Sequence, residues 1–374
     1  MTDFSVTQYN PYNMYQNFGY YPAFRGATVP QNNYNSVPQM TQQPDTVSFS
    51  ANKQIQNETK KQDLSNGAKL GIGAGVVLGL GALAYVLTRG KSGSSSAKQL
   101  LEEFKPAETI DEARAFANKT LNVQYLHDNK ANLDMINTVN EWLYREKSVA
   151  KKNIPDFINF VEQDIANPLG ITDKIYHEGK AYNALDVNIN YINKFEELIE
   201  YALKPSGGGG DDLSRLIRKN SKGVYEAVKP EYRCENLDKL IQKLNAYSKS
   251  SSYKDKMEIY DGLSEAISYL GNITAGKNIK MASFSADGGF LHEMGHMLHQ
   301  NTYKFWNEAR TEGSKIYQEF QQANIQNIAG QVSDYAKSDP LEFVAETYKR
   351  LRRGQTFSND VMALYKKYSG PSIS

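Results

Sequence analysis

The run His292-Glu293-Met294-Gly295-His296 sets two imidazoles four residues apart, with a carboxylate beside the first. On an α-helix, residues four apart stand on one face about a turn apart, so both rings reach a single ion. H-E-x-x-H at this spacing is a zinc signature in which the glutamate takes a proton from a water. The bland alternative is an amphipathic helix that carries two histidines by chance of composition. Against it, the chain has only 5 histidines, and His292, His296 and His299 fall together.

Working outward, Asp287-Gly288-Gly289 predicts the start of the helix, with Asp287 as N-cap. Leu291, Gly295 and Leu298 mark a core face, and the histidines a neighbouring face about 100° round the helix. Gly295 leaves room for close packing. Zinc at a catalytic site takes a third protein ligand and leaves the fourth position to water. His299 stands about 10 Å from His292 along the axis, too far to share the ion, and is expected as a site-wall or surface residue. The longer H-E-x-x-H-x-x-G-x-x-H pattern also fails, because position 299 is His and position 302 is Thr.

A third ligand is therefore expected from a second helix. The best stretch is Tyr335-Ala336-Lys337-Ser338-Asp339-Pro340-Leu341-Glu342-Phe343-Val344-Ala345-Glu346. Asp339 suits an N-cap and Pro340 a first helical position. Glu342 and Glu346 share one face, and Leu341, Val344, Ala345 and Tyr348 cover the other. From the residues alone, Glu342 is either a ligand, a capping-box partner of Asp339, or a solvated side chain.

Gly289-Phe290-Leu291-His292-Glu293-Met294-Gly295-His296, with Tyr335 and Glu342-Phe343-Val344-Ala345-Glu346 downstream, resembles the catalytic domain of the anthrax lethal-factor-like gluzincin metallopeptidases. The resemblance covers chiefly residues 280–350. It implies Glu342 as the third zinc ligand, Glu346 as the support of a ligand histidine, and Tyr335 as a hydroxyl over the reacting water. Val344 stands where that family usually has Phe, a packing position. Receptor-binding domains like those of the toxin are absent. The H-E-x-x-H spacing, with what the resemblance implies for Glu342, leads to the expectation of a zinc-dependent endopeptidase with Zn2+ on His292, His296 and Glu342 and Glu293 as general base. The expected substrate is a protein or peptide, whose backbone pairs with one of two expected strands, by preference the one just before the zinc helix.

The rest of the chain bounds this reading. A formal net charge of +1 gives no pull toward nucleic acid. The single cysteine, Cys234, excludes an intrachain disulfide and a cysteine-based metal site. Residues 1–67 are rich in Tyr, Asn, Gln and Pro without helical or strand period, and are expected to be a disordered tail. Leu70 to Thr88 holds no charged residue and spans about 28 Å as a helix, so one transmembrane helix is predicted over 68–89. Gly71, Gly75 and Gly79 form two G-x-x-x-G steps, which suggests a homodimer in the membrane. Lysines and arginines flank both ends equally, and a leaderless tail that stays inside puts the catalytic part on the extracytoplasmic side.

Residues 90–100 read as a flexible linker and 101–374 as the folded module. That module divides into a part at 101–203, a glycine-rich loop at 204–211 and a zinc-binding part at 212–374. Thr109 to Glu112 makes a capping box. Helices are expected around Ile136 to Leu143 and at 154–165, 194–203, 212–220, 235–248 and 253–270. Strict alternation at 185–191 predicts a half-buried strand, and 278–284 a second. The fold class is α+β: zincin-like, mainly helical with a small mixed sheet. His127 and His177 are taken as ordinary residues, and Tyr303, Phe305 and Trp306 as core or site wall. Two other functions fit the same residues: a catalytically inactive, zinc-stabilised binding module on a membrane tether, and an interaction protein without metal, in which His292, His296 and Glu342 do not converge.

Overall fold

The computed structural model describes residues 103–150, 154–162, 169–177, 180–204 and 213–373. They form helices around a small mixed sheet. The expectation of a single-pass membrane protein is corrected here: no helix among the described residues is long and apolar enough to cross a membrane. Two of those helices reach eighteen residues, Leu133–Ala150 and Tyr253–Thr274, and both carry acidic and basic residues along their length. The tail at 1–67, the segment at 68–89 with Gly71, Gly75 and Gly79, the linker at 90–100 and most of the glycine-rich loop lie outside the described residues. The membrane anchor, the membrane homodimer and the extracytoplasmic placement are carried no further.

The sheet has four strands: β1 (Gln124–Leu126), β2 (Phe157–Val161), β3 (Leu169–His177) and β4 (Lys180–Asn188), in the order β1-β2-β4-β3. β1 and β4 run parallel to β2, while β3 returns antiparallel to β4. Three expectations change. The helix expected at 154–165 is strand β2, where Ile158 and Phe160 alternate inward and are fully buried. Its β-branched and aromatic residues suit a strand with neighbours on both sides. The strand expected at 185–191 ends at Asn188, and Ala184 to Asn188 are buried on both faces rather than half-buried as expected. Its polar members are satisfied: Asn159 donates to Asp186 at 3.1 Å, and Asn188 accepts from the backbone of Asn190 at 3.0 Å. Residues 278–284 join no ladder; Met281 and Phe284 bury there in extended coil. The edge strand nearest the histidine helix is therefore β3.

Helix α1 (Ile110–Phe116) opens with the expected capping box of Thr109 and Glu112. α2 (Leu133–Ala150) buries Ile136, Val139, Trp142 and Leu143. α3 (Asn190–Asn193) and α4 (Phe195–Ala202) follow the sheet. The helix expected at 212–220 is instead a short 3-10 turn and strand β5 (Ile217–Lys219), paired with β6 (Tyr225–Ala227). Isolated polar residues between Leu213, Leu216 and Ile217 fit both periods over so short a run. α5 (Glu235–Ala246) and α6 (Tyr253–Thr274) match their expected positions closely.

The C-terminal half is helical: α7 (Gly288–Thr302), α8 (Trp306–Arg310), α9 (Lys315–Phe320), α10 (Ala323–Ala329), α11 (Pro340–Arg352) and α12 (Asn359–Lys367). One apolar cluster joins α2, the sheet, α5, α6 and α7 through Trp142, Phe160, Leu240, Leu263 and Phe290. A second joins α8 to α12 through Ala309, Phe320, Phe343, Val361 and Tyr368. Helix α11 spans both, because Tyr348 belongs to the first cluster and Phe343 to the second. Each fully buried side chain of this size contributes about 1.5–3 kcal/mol, so α11 is held from two sides.

Glycines set how close the helices come. A Cβ on Gly295 would stand 3.0 Å from the Cα of Ala345 and 3.2 Å from the Cβ of Tyr348. Backbone of α7 therefore touches backbone of α11 at the level of the second histidine. Gly288, at the start of α7, has no space for a Cβ either, because the side chains of Asp261 and Arg353 fill it.

Candidate metal centre

Helix α7 presents His292 and His296 on one face, and α11 crosses that face with Glu342. The three side chains converge. His292 Nε2 and His296 Nε2 are 3.1 Å apart, and each lies 3.2 Å from Glu342 Oε2. Both rings are buried, and Glu342 is nearly so. No other acidic, cysteine or histidine group among the described residues gathers in this way.

The triangle has the dimensions of a tetrahedral coordination face. Ligands at about 2.0–2.1 Å from a tetrahedral zinc stand about 3.3 Å from one another. The donor set of two imidazole nitrogens and one carboxylate oxygen also suits zinc. In the protein alone, the same crowding calls for positive charge between the three atoms. Burial by itself would lower the pKa of His292, but hydrogen bonds to Glu342 and Glu346 outweigh it and push it up to about 10. Burial likewise opposes ionisation of Glu342. The charge of His296 and hydrogen bonds from both imidazoles nonetheless hold it far below the usual carboxylate range.

Local sequence explains how Glu342 is delivered. Asp339 caps α11, accepting from the backbone N–H of Leu341 at 2.7 Å and of Glu342 at 3.0 Å, and Pro340 takes the first turn. The Glu342 side chain turns toward the two histidines. Asp287, by contrast, occupies the N-cap position of α7 without capping it through its side chain. Its carboxylate accepts from the Ser285 hydroxyl instead.

Glu346, one turn after Glu342, accepts from His292 Nδ1–H at 2.9 Å. That bond sets the tautomer and turns Nε2 toward the triangle. Tyr335, on the 3-10 turn before α11, stacks on the His292 ring with centroids 5.7 Å apart and planes at 24°. Burial, then the charges of Glu342, Asp339 and Glu293, keep its hydroxyl well above the usual tyrosine range, so it remains a donor. Glu293 is buried on α7, and its negative charge reaches His292, Tyr335 and Tyr260 of α6. The structure thus gathers every residue that the sequence singled out: His292, Glu293, His296, Tyr335, Glu342 and Glu346.

Sequence reasoning missed the contribution of α6. Tyr260, Asp261 and Glu265 lie buried behind the centre, and the two acids face Lys349 and Arg350 of α11 and Arg353 just after it. The signal was present as charges on otherwise apolar helix faces. Trp306 forms the wall beside the second histidine of the triangle, edge-on to His296 at 6.0 Å and to His299 at 5.4 Å. Tyr303 is core, whereas Phe305 is exposed.

His299 is not a surface residue. It is fully buried, stacks on Tyr303, and donates from Nε2 to the backbone carbonyl of Tyr368 at 2.6 Å, tying the end of α12 to α7. Burial outweighs that hydrogen bond and pushes its pKa down to about 3. The unfolded chain then takes up the proton first, at about 6.5. Stability conferred by neutral His299 is complete above that pH and is lost as pH falls toward 3. A group in this position gives a slope of up to about 1.4 kcal/mol per pH unit. His299→Gln should therefore show a shallower fall in melting temperature between pH 6.5 and 4 than the parent protein, both treated with chelator. Equal slopes would remove His299 from the acid response.

Family models, curated proteins and solved structures were compared with this chain, and none matches.

Proposed function

We propose that this chain is a zinc-dependent endopeptidase of the gluzincin kind, resembling lethal-factor-like catalytic domains. The observation that carries the reading is the triangle of His292 Nε2, His296 Nε2 and Glu342 Oε2 with sides of 3.1, 3.2 and 3.2 Å, flanked by Glu293 and Tyr335. Those three atoms would hold the ion, which supplies Lewis acidity toward water and toward a carbonyl. Glu293, beside the first ligand, would take a proton from the attacking water and return it to the leaving amine nitrogen. Water adds across the C–N bond, giving a carboxylic acid and an amine. The Tyr335 hydroxyl would donate to the oxygen that gains negative charge on the carbonyl carbon. Glu346 would keep His292 in the tautomer whose Nε2 lone pair faces the ion.

Substrate placement has a candidate as well. β3 is an edge of the sheet. The first turn of α7 lies against its start: a Cβ on Gly289 would meet Leu169 at 3.5 Å. An extended peptide added along β3 would run past the centre with chain on both sides of the reacting bond, which favours cleavage at internal bonds.

The test uses the full chain. Purified protein is expected to carry one equivalent of zinc and to cleave a mixed peptide library at internal bonds. Chelator should stop cleavage and added zinc restore it. Cleavage indifferent to chelator would overturn the metal mechanism. Zinc bound with no peptide cleaved would turn the reading toward a metal-stabilised binding module.

A further inference from the structure

We propose that Lys349 is a positioning residue for the metal centre, acting through Glu346 on His292. The inference rests on the reading that His292, His296 and Glu342 hold a divalent ion. Its observation is a separate one: six charged side chains are buried together behind the centre. Asp261 and Glu265 come from α6, Glu346, Lys349 and Arg350 from α11, and Arg353 from the residue that follows α11. The first five are 2–6% exposed and Arg353 is 11% exposed. Three acids face three bases, so the cluster is neutral as a whole.

Lys349 sits at its middle. Its Nζ lies 3.1 Å from Glu346 Oε1, 3.1 Å from Glu265 Oε1 and 3.3 Å from Asp261 Oδ1. Glu346 Oε1 is the same oxygen that accepts from His292 Nδ1–H at 2.9 Å. A continuous relay of charge-assisted contacts therefore runs from α6 through Lys349 and Glu346 to the ligand ring. The other oxygen of Glu346 faces Arg350 Nε at 3.6 Å. Lys349 and Arg350 thus pull on opposite oxygens, and the balance fixes the plane of the carboxylate.

Stability gives little reason for this arrangement. Buried ion clusters replaced by apolar residues of similar volume are often as stable or more so. Orientation gives a reason. Without Lys349, the lysine or arginine contact left on Glu346 among the described residues is Arg350, which draws the carboxylate by Oε2 and away from His292. The ring then loses the contact that aims Nε2.

Loss of a hydrogen-bonded partner behind a metal ligand typically weakens the metal by about 10–100-fold. K349M removes the relay but leaves three acids against two bases, which threatens folding. K349M/E265Q restores neutrality and keeps the test readable. Zn2+ affinity is measured on full-length protein by competition with a chromophoric chelator, alongside thermal melting. K349M/E265Q is expected to melt near E265Q yet bind Zn2+ about tenfold more weakly than E265Q. K349R, which keeps a cation against Glu346, should recover most of the affinity. Equal Zn2+ affinity in K349M/E265Q and E265Q would overturn the proposal and leave Lys349 a charge-balancing residue. So would K349M/E265Q failing to melt cooperatively while K349R stays folded with Zn2+ affinity no better than that of a ligand variant. Failure of the parent protein to bind Zn2+ would instead overturn the metal reading, and that result is seen before any variant is made.

Discussion

Glu293→Gln is expected to keep its fold and its zinc while losing peptide turnover by about 10²–10⁴-fold, the usual contribution of a positioned general base. Glutamine has nearly the size and shape of glutamate, so the buried position on α7 is filled as before. Glu293 is no member of the ligand triangle, and the three donor atoms keep their spacing. What disappears is the carboxylate lone pair that, on the proposed reading, would take a proton from water. The measurement is zinc content by elemental analysis together with initial rates on a cleaved peptide. Normal turnover by this variant would eliminate Glu293 as the base. Loss of zinc along with turnover would assign it to the metal instead.

The site was legible because its chemistry is written in local spacing. His292 and His296 lie four apart on one helix, and the histidines needed no tertiary information to share a face. Glu342 and Glu346 were legible for the same reason, one turn apart after Asp339-Pro340. Where the Glu342 side chain points was not readable from the residues. Its place 3.2 Å from both imidazoles follows from the contact of α11 with α7, and that contact depends on Gly295 lying against Ala345. The ion cluster behind the centre stayed hidden: charges on the apolar face of α6 were its signal, but their partners on and just after α11 lie 85 and 92 residues away in sequence, and nothing local pairs them.

The fold was legible where a period ran long. α5, α6 and α2 show it over three turns or more. It misled where a run was short or buried on both sides. Residues 157–161 satisfy helical and strand patterns alike, and only the neighbours β1 and β4 decide between them. Residues 278–284 have a strand's composition, yet no partner strand pairs with them. Strands do not persist without a ladder, so composition alone misplaced the strand; among the described residues the sheet edge beside α7 is β3.

Glu342→Ala is expected to lose zinc and turnover together. A structural zinc site is worth about 10–16 kcal/mol over four ligands, so one ligand carries on average about 2.5–4 kcal/mol, a factor of roughly 10²–10³ in affinity. The helix should survive the change. Asp339 still accepts from the backbone N–H of residues 341 and 342, alanine favours the helix, and the apolar residues that hold α11 in both clusters are untouched. Two imidazoles four apart on α7 then remain alone, and a two-nitrogen site binds the ion weakly. Zinc affinity by chelator competition and thermal melting in chelator separate loss of a ligand from loss of fold. Unchanged affinity in a folded Glu342→Ala protein would place the third donor elsewhere and dissolve the gluzincin reading. Set beside Glu293→Gln, the result also divides two glutamates of one pocket by chemistry: removal of one carboxylate abolishes metal and reaction, while neutralising the other abolishes reaction alone.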